Sequence, residues 1–173
     1  ERLIEYHLGV NELAEALDWL ERLVGRTEPQ DLREVHLYRL VDLALKRAKM
    51  PERAERAIAL SHKPAELIER LYSYLIAHGE YEEGFAWLGR LRELSSSPAA
   101  AELFVDRMMG LSLDQAELPE LAERAIELSD ERPRQIERLL TYYKLQGETE
   151  SALTWLWRLA SAFDDSGERE GTL

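Results

Sequence analysis

Apolar residues along this chain recur at i, i+3, i+4 and i+7, as Leu67, Ile68, Leu71, Tyr74 and Leu75 do, and no sustained alternation of period two occurs. That spacing draws one apolar stripe along an α-helix and predicts a succession of amphipathic helices with no sheet. The punctuation agrees. Ser97-Pro98 supplies an N-cap and a first-turn proline, Asp114 with Glu117 has capping-box spacing, and Pro29, Pro51, Pro64, Pro119 and Pro133 stand near expected helix starts. His78-Gly79 and Gln146-Gly147 read as helix ends, where a glycine turns the backbone left-handed.

The pattern is also self-similar. Trp19, Trp87 and Trp155 are 68 residues apart each time, and the same shift carries Gly79-Glu80 onto Gly147-Glu148. Residues 50–61 and 118–129 agree at nine of twelve positions under that shift. Two helices of about 14 residues with two short turns fill half the period, so the expected unit is a helical hairpin, with two sub-types alternating.

In these features the chain resembles the tetratricopeptide repeat family. Residues 65–98 carry Ile68, Leu71, Tyr72 and Leu75, then Gly79, Tyr81, Gly84 and Phe85, then Leu88, Leu91 and Pro98. Residues 133–166 carry Leu139, Tyr143, Gly147, Ala152, Leu156 and Leu159. Residues 31–64 and 99–132 match mainly through Ala54, Ala57, Ala122 and Ala125; their turns lack the glycine, and a proline sits just inside the second helix. Residues 1–30 read as a truncated unit and 167–173 as a tail. The resemblance implies an all-α, right-handed α-solenoid whose first helices line a concave groove. On the family pattern the groove positions are His36, Arg39, Asp42, Glu66, Glu69, Arg70, Ser73, Arg107, Arg134, Glu137, Arg138, Thr141 and Lys144. The asparagine-and-lysine clamp that some members close on a peptide carboxylate is absent, since Asn11 is the only asparagine and falls in a turn.

Composition narrows the partners. The formal net charge of −12 argues against nucleic acid and anionic membrane surfaces. The charge is uneven: residues 31–64 are net basic, and the acid peaks over 99–132, where Asp114, Glu117, Glu120, Glu123 and Glu127 form a candidate acidic docking face. No cysteine occurs, which removes disulfides, thiolate metal sites and a cysteine nucleophile. No apolar run approaches the ~20 residues that span a bilayer. The first residue is Glu1, so the chain is expected to be a piece of a longer repeat protein.

Little chemistry beyond binding is written in the residues. His7, His36, His62 and His78 show no metal-ligand spacing, and His36 is the one expected to face a ligand. Carboxylate pairs such as Glu66 and Glu69 lack any sign of a shielded cleft, and no glycine-rich phosphate loop or nucleophile elbow is present. No enzyme activity, cofactor or metal is therefore expected. The three repeated tryptophans are expected to pack between hairpins; Trp157, about 200° around its helix from Trp155, is expected to meet a following repeat or a partner.

The expected function is a non-catalytic protein–protein interaction scaffold. With 18 arginines against four lysines and degenerate repeats, the chain is similar in texture to the periplasmic repeat regions of bacterial exopolysaccharide export proteins, the Pel family among them. That resemblance implies a periplasmic location, recruitment of a polysaccharide deacetylase or hydrolase, and passage of a cationic polysaccharide. Two alternatives stand beside it: direct polysaccharide binding by the repeats, and a cytoplasmic adaptor holding a peptide or helix in the groove.

Overall fold

The computed structural model describes the backbone of residues 1–170 and the side chains of residues 1–161; residues 171–173, the end of the expected tail, lie outside the described residues. Among the described residues there are ten α-helices, two π-helical turns and no strand, so the chain is all-α. It divides into two compact units, Glu1–His78 and Gly79–Leu173.

The first unit holds α1 (Arg2–Gly9), α2 (Leu13–Arg26), α3 (Gln30–Leu43), a π-helical turn (Ala44–Ala48), α4 (Pro51–Leu60) and α5 (Pro64–Ala77). Each helix packs on the next, and α5 also touches α3. The apolar stripes meet in a core of Ile4, Leu17, Leu20, Leu37, Leu40, Leu67 and Leu71, while buried Ala54 and Ala57 let α4 lie close to its neighbours.

The second unit holds α6 (Tyr81–Glu93), α7 (Pro98–Gly110), a π-helical turn (Leu111–Gln115), α8 (Pro119–Leu128), α9 (Arg132–Gln146) and α10 (Thr149–Glu170). Here α7 packs on α6 and α8, and α9 on α8 and α10, around Leu88, Val105, Met108, Met109 and Leu139. Helix α10 carries helical backbone past residue 166, into the stretch expected to be a tail.

The 68-residue period is written in the backbone. Asn11, Gly79 and Gly147 have φ of 61°, 77° and 76°, and Lys49 and Glu117 both have φ of 54°. The glycine-free turns therefore close by a different device. The π-helical turn ends with the Met50 N–H donating to the Ala44 carbonyl at 2.9 Å, and the equivalent Leu118 N–H donates to Ser112 at 2.8 Å. One exposed left-handed residue follows the π-turn, and a proline then starts the next helix at its first turn, where its missing N–H costs nothing. The expected capping box is consequently not formed: Asp114 lies in the π-turn and Glu117 is the left-handed residue. The Ser97 cap is formed, its hydroxyl accepting from the Ala100 N–H at 3.2 Å.

Trp87 and Trp155 are buried and Trp19 half-buried. Each lies under the guanidinium three residues on, Arg22, Arg90 or Arg158, at 4.7, 4.8 and 4.4 Å from the ring centroid.

Candidate functional site

The first helix of each glycine-free hairpin is fastened by a carboxylate, buried in the first unit and half-buried in the second. Glu34 on α3 accepts from the Ser61 hydroxyl and the His62 N–H, both at 2.7 Å. Its 68-residue equivalent, Glu102 on α7, accepts from the Ser129 hydroxyl at 2.5 Å and the Asp130 N–H at 3.1 Å. Each serine oxygen in turn accepts from the N–H two residues on, Lys63 at 3.0 Å and Glu131 at 2.9 Å. This clasp ties α3 to the entry of α5, and α7 to the entry of α9, and so sets the faces these helices present together.

Where the π-turn passes beside the next long helix, each unit has a recess. In the first unit it measures about 480 Å³ and is lined by Asp42, Leu45, Lys46, Glu69, Arg70, Ser73 and Tyr74. In the second it measures about 420 Å³ and is lined by Leu113, Asp114, Arg134, Glu137, Arg138, Thr141, Tyr142 and Leu145. Six positions coincide under the 68-residue shift: Leu45 with Leu113, Lys46 with Asp114, Glu69 with Glu137, Arg70 with Arg138, Ser73 with Thr141, and Tyr74 with Tyr142. The chain has one recess built twice, with a buried leucine floor, a tyrosine wall and a guanidinium, carboxylate and hydroxyl at the rim.

The rim charges are held differently. In the first unit Asp42 accepts from Arg70 at 2.5 Å and from Lys46 at 3.2 Å. Arg70 also lies 5.3 Å from the centroid of the Tyr38 ring. The Tyr38 hydroxyl donates to Glu66; burial, reinforced by that carboxylate, pushes the phenol up to about 12. The Tyr74 ring stacks on His78 at 4.0 Å, and the His78 Nδ1–H donates to the Tyr74 carbonyl at 2.8 Å. In the second unit Asp106 gathers three donors: Gln135 at 2.8 Å, Arg134 at 3.0 Å and Arg138 at 3.2 Å. Arg134 also donates to Glu131 at 2.9 Å, and that bond leads the interactions that raise its pKa and hold it charged. Burial raises both Tyr142 and Tyr143, the latter to about 12, with Glu123 and Glu148 adding to it. The tyrosines stay protonated across the neutral range and present hydroxyls as hydrogen-bonding groups.

Of the residues assigned to a groove from sequence, Asp42, Glu69, Arg70 and Ser73 meet in the first recess, and Arg134, Glu137, Arg138 and Thr141 in the second. Arg39, which pairs with Glu5, lines neither recess; nor do Glu66, Arg107 or the exposed Lys144. His36 departs from the expectation: it is 5% exposed, packed inside the first unit, and faces no groove. The acidic residues of 99–132 do not form one face either. Glu120, Glu123 and Glu127 share a side of α8 by their spacing, Asp114 lines the recess, and Glu117 sits in the left-handed turn. Sequence reasoning missed Leu45, Lys46 and Tyr74, and Leu113, Tyr142 and Leu145; the shift that pairs Leu45 with Leu113 and Tyr74 with Tyr142 was the available signal.

A leucine floor, a tyrosine face and a mixed-charge rim can take an apolar side chain and hydrogen-bond the polar chain that carries it. Among the described residues no group of three His, Asp or Glu side chains is placed to hold a metal ion, and no helix is long and apolar enough to cross a membrane. No protein-family model, no curated protein and no solved structure matches the chain.

Proposed function

We propose that this chain is a non-catalytic scaffold that binds a protein partner through its two equivalent recesses. The observation that carries the proposal is the duplication itself, with floor, wall and guanidinium repeated at 68-residue spacing on a fixed backbone. In this reading the hairpins continue one another as a right-handed solenoid, which the neighbour-to-neighbour helix packing inside each unit supports. The partner is a polypeptide presenting an apolar side chain beside polar backbone. The arginine-rich, cysteine-free composition and the degenerate repeats extend the proposal to the periplasm and to a polysaccharide-modifying enzyme recruited during Pel-like exopolysaccharide export. Direct polysaccharide binding is the second reading, and one observation favours it: Tyr74 and Tyr142 offer an aromatic wall in each recess, a surface on which a sugar ring stacks.

The test is capture from a bacterial envelope extract, with each protein identified by mass spectrometry, comparing the intact chain with the variant pair Tyr74→Ala and Tyr142→Ala. Loss of one specific protein with the tyrosines, and its retention when Glu120, Glu123 and Glu127 are changed to lysine, is the expected result. Retention in the tyrosine variants with loss in the lysine variants would move the site to α8. A soluble polysaccharide that shifts the tyrosine spectra, with no protein captured, would establish the second reading instead.

A further inference from the structure

The internal repeat states what should cover a helix face that is left exposed among the described residues. On α2, Leu17 and Leu20 are both 0% exposed, and on α6 the equivalent Phe85 and Leu88 are 2% and 0% exposed. In each unit the helix that follows, α3 or α7, packs on this helix. On α10 the same two positions are Leu153 and Leu156, at 52% and 46% exposure, with Trp157 beside them at 75%. The adjoining flank of the face also has a known neighbour. Asp18 and Glu21 on α2 accept from Arg53 of α4 at 2.7 and 2.8 Å. On α6, Arg92 donates to the Leu128 carbonyl at the end of α8 at 2.6 Å, and Arg124 of α8 lies 5.0 Å from the Phe85 ring centroid. This side of α2 and α6 therefore receives a complete hairpin, first helix and second.

We infer that the exposed side of α10 is a docking face for an amphipathic helical hairpin of the α7–α8 kind, with an apolar residue where Trp157 meets it. The last clause follows from the three copies of that flank. It is acidic on α2, with Asp18 and Glu21; it is small on α6, with Ala86 and Gly89; on α10 it is Thr154 and Trp157. The residue opposite changes in step: Arg53 pairs with the acidic flank, and buried Leu121 stands at Arg53's equivalent position where the flank is small. A hairpin with a cation there would lose the carboxylate partners that Asp18 and Glu21 give Arg53, since α10 has Thr154 and Trp157 in their places. A hairpin with leucine or a smaller apolar residue would bury Trp157 and the two leucines together. The inference stands apart from the recess reading, because Leu153, Leu156 and Trp157 line neither recess.

The test joins the full chain, through a flexible linker after Leu173, to a second copy of residues 97–129. Acrylamide quenching assigned to Trp157, by difference from the Trp157→Phe variant, is expected to fall several-fold on joining, and the thermal midpoint to rise by several degrees. Leu121→Arg in the appended copy alone should restore most of the quenching, as should Leu156→Asp in α10. Both α10 side chains are solvent-facing, so helix content by circular dichroism is expected to hold in Leu156→Asp and in a second variant, Trp157→Asp. Unchanged quenching in the joined protein would overturn the inference. So would concentration-dependent self-association of the unextended chain that protects Trp157 and disappears in Leu156→Asp, which would make a second copy the occupant.

Discussion

The two units keep the same backbone and rewrite the polar ties across it. Glu34 and Glu102 form the same clasp, and Lys49 and Glu117 the same left-handed closure. Between the first helices, however, the first unit uses Tyr38 with Glu66 and Asp42 with Arg70. In the second unit Asp106 stands at the place of Tyr38, Gly110 at that of Asp42, and Arg134 at that of Glu66. The carboxylate has moved one helical turn along the first helix, and Arg138, the equivalent of Arg70, reaches back to it. Buried Leu67 is replaced by buried Gln135, which the displaced carboxylate satisfies. Apolar burial, clasp and turn set the fold, whereas the ion pairs can shift by a turn provided that every buried polar group finds a partner in its new place.

The sharpest way to test that account is to exchange the buried pair. Leu67→Gln puts an amide at a fully buried site where Glu34 stands for Glu102 but Tyr38 takes the place of Asp106, so one of the two carboxylates that Gln135 reaches has no counterpart. The expected cost is about 2–3 kcal/mol from lost apolar burial and an incompletely paired amide, read as a lower urea midpoint. The reverse change, Gln135→Leu, leaves Asp106 with Arg134 and Arg138, and Glu102 with Ser129 and Asp130, so its effect should stay within ~1 kcal/mol. Adding Tyr38→Asp to Leu67→Gln should recover part of the loss, and a double-mutant cycle measures the coupling. Equal costs for the two single exchanges would show that the displaced carboxylate is not what supports Gln135.

The clasp is the element held in common, and its removal should act on both units in the same direction. Glu34→Ala leaves the Ser61 hydroxyl and the His62 N–H without their acceptor, and Glu102→Ala does the same to Ser129 and Asp130. Each should cost about 1–3 kcal/mol in chemical denaturation. Glu102→Ala is expected to be the larger, because Gln135 also donates to that carboxylate, at 3.2 Å. A negligible effect in either unit would mean that the clasp does not fasten the first helix.

Helices, hairpin spacing and repeat were legible because a period of 3.6 residues and an offset of 68 both show in one sequence. The recesses were not, because each is floored by a leucine in a π-helical turn, where the extra residue breaks the period that assigns inside and outside. Tyr74 was read as part of the α5 stripe, yet it lies at the margin of that stripe and half-exposed in the recess. His36 was misplaced because a family template assigns its position to the groove, whereas the side chain is packed inside the first unit. The acidic excess of 99–132 was real in composition but spread over a π-turn, a left-handed residue and one side of α8, which no sum over sequence resolves.

The smallest expected effect bears on the glycine-free turns. Gly79 and Gly147 hold φ of 77° and 76° with nothing within 4 Å of an added Cβ, so Gly79→Ala and Gly147→Ala should cost only the left-handed strain, about 1 kcal/mol each. Lys49 and Glu117 already bear that strain, each at φ of 54° with an exposed side chain. Lys49→Gly and Glu117→Gly relieve it but give the unfolded chain more freedom, and the net gain should be about 0.5 kcal/mol or less, a small upward shift in thermal midpoint. Asn11, at φ of 61°, belongs to a residue type that tolerates this conformation, so Asn11→Gly should change least. The order matters more than the sizes. If Lys49→Gly instead lowered the midpoint as a glycine inside a helix does, by about 0.5–1 kcal/mol, then residue 49 would be in helical conformation, and the π-turn closure that floors both recesses would have to be abandoned.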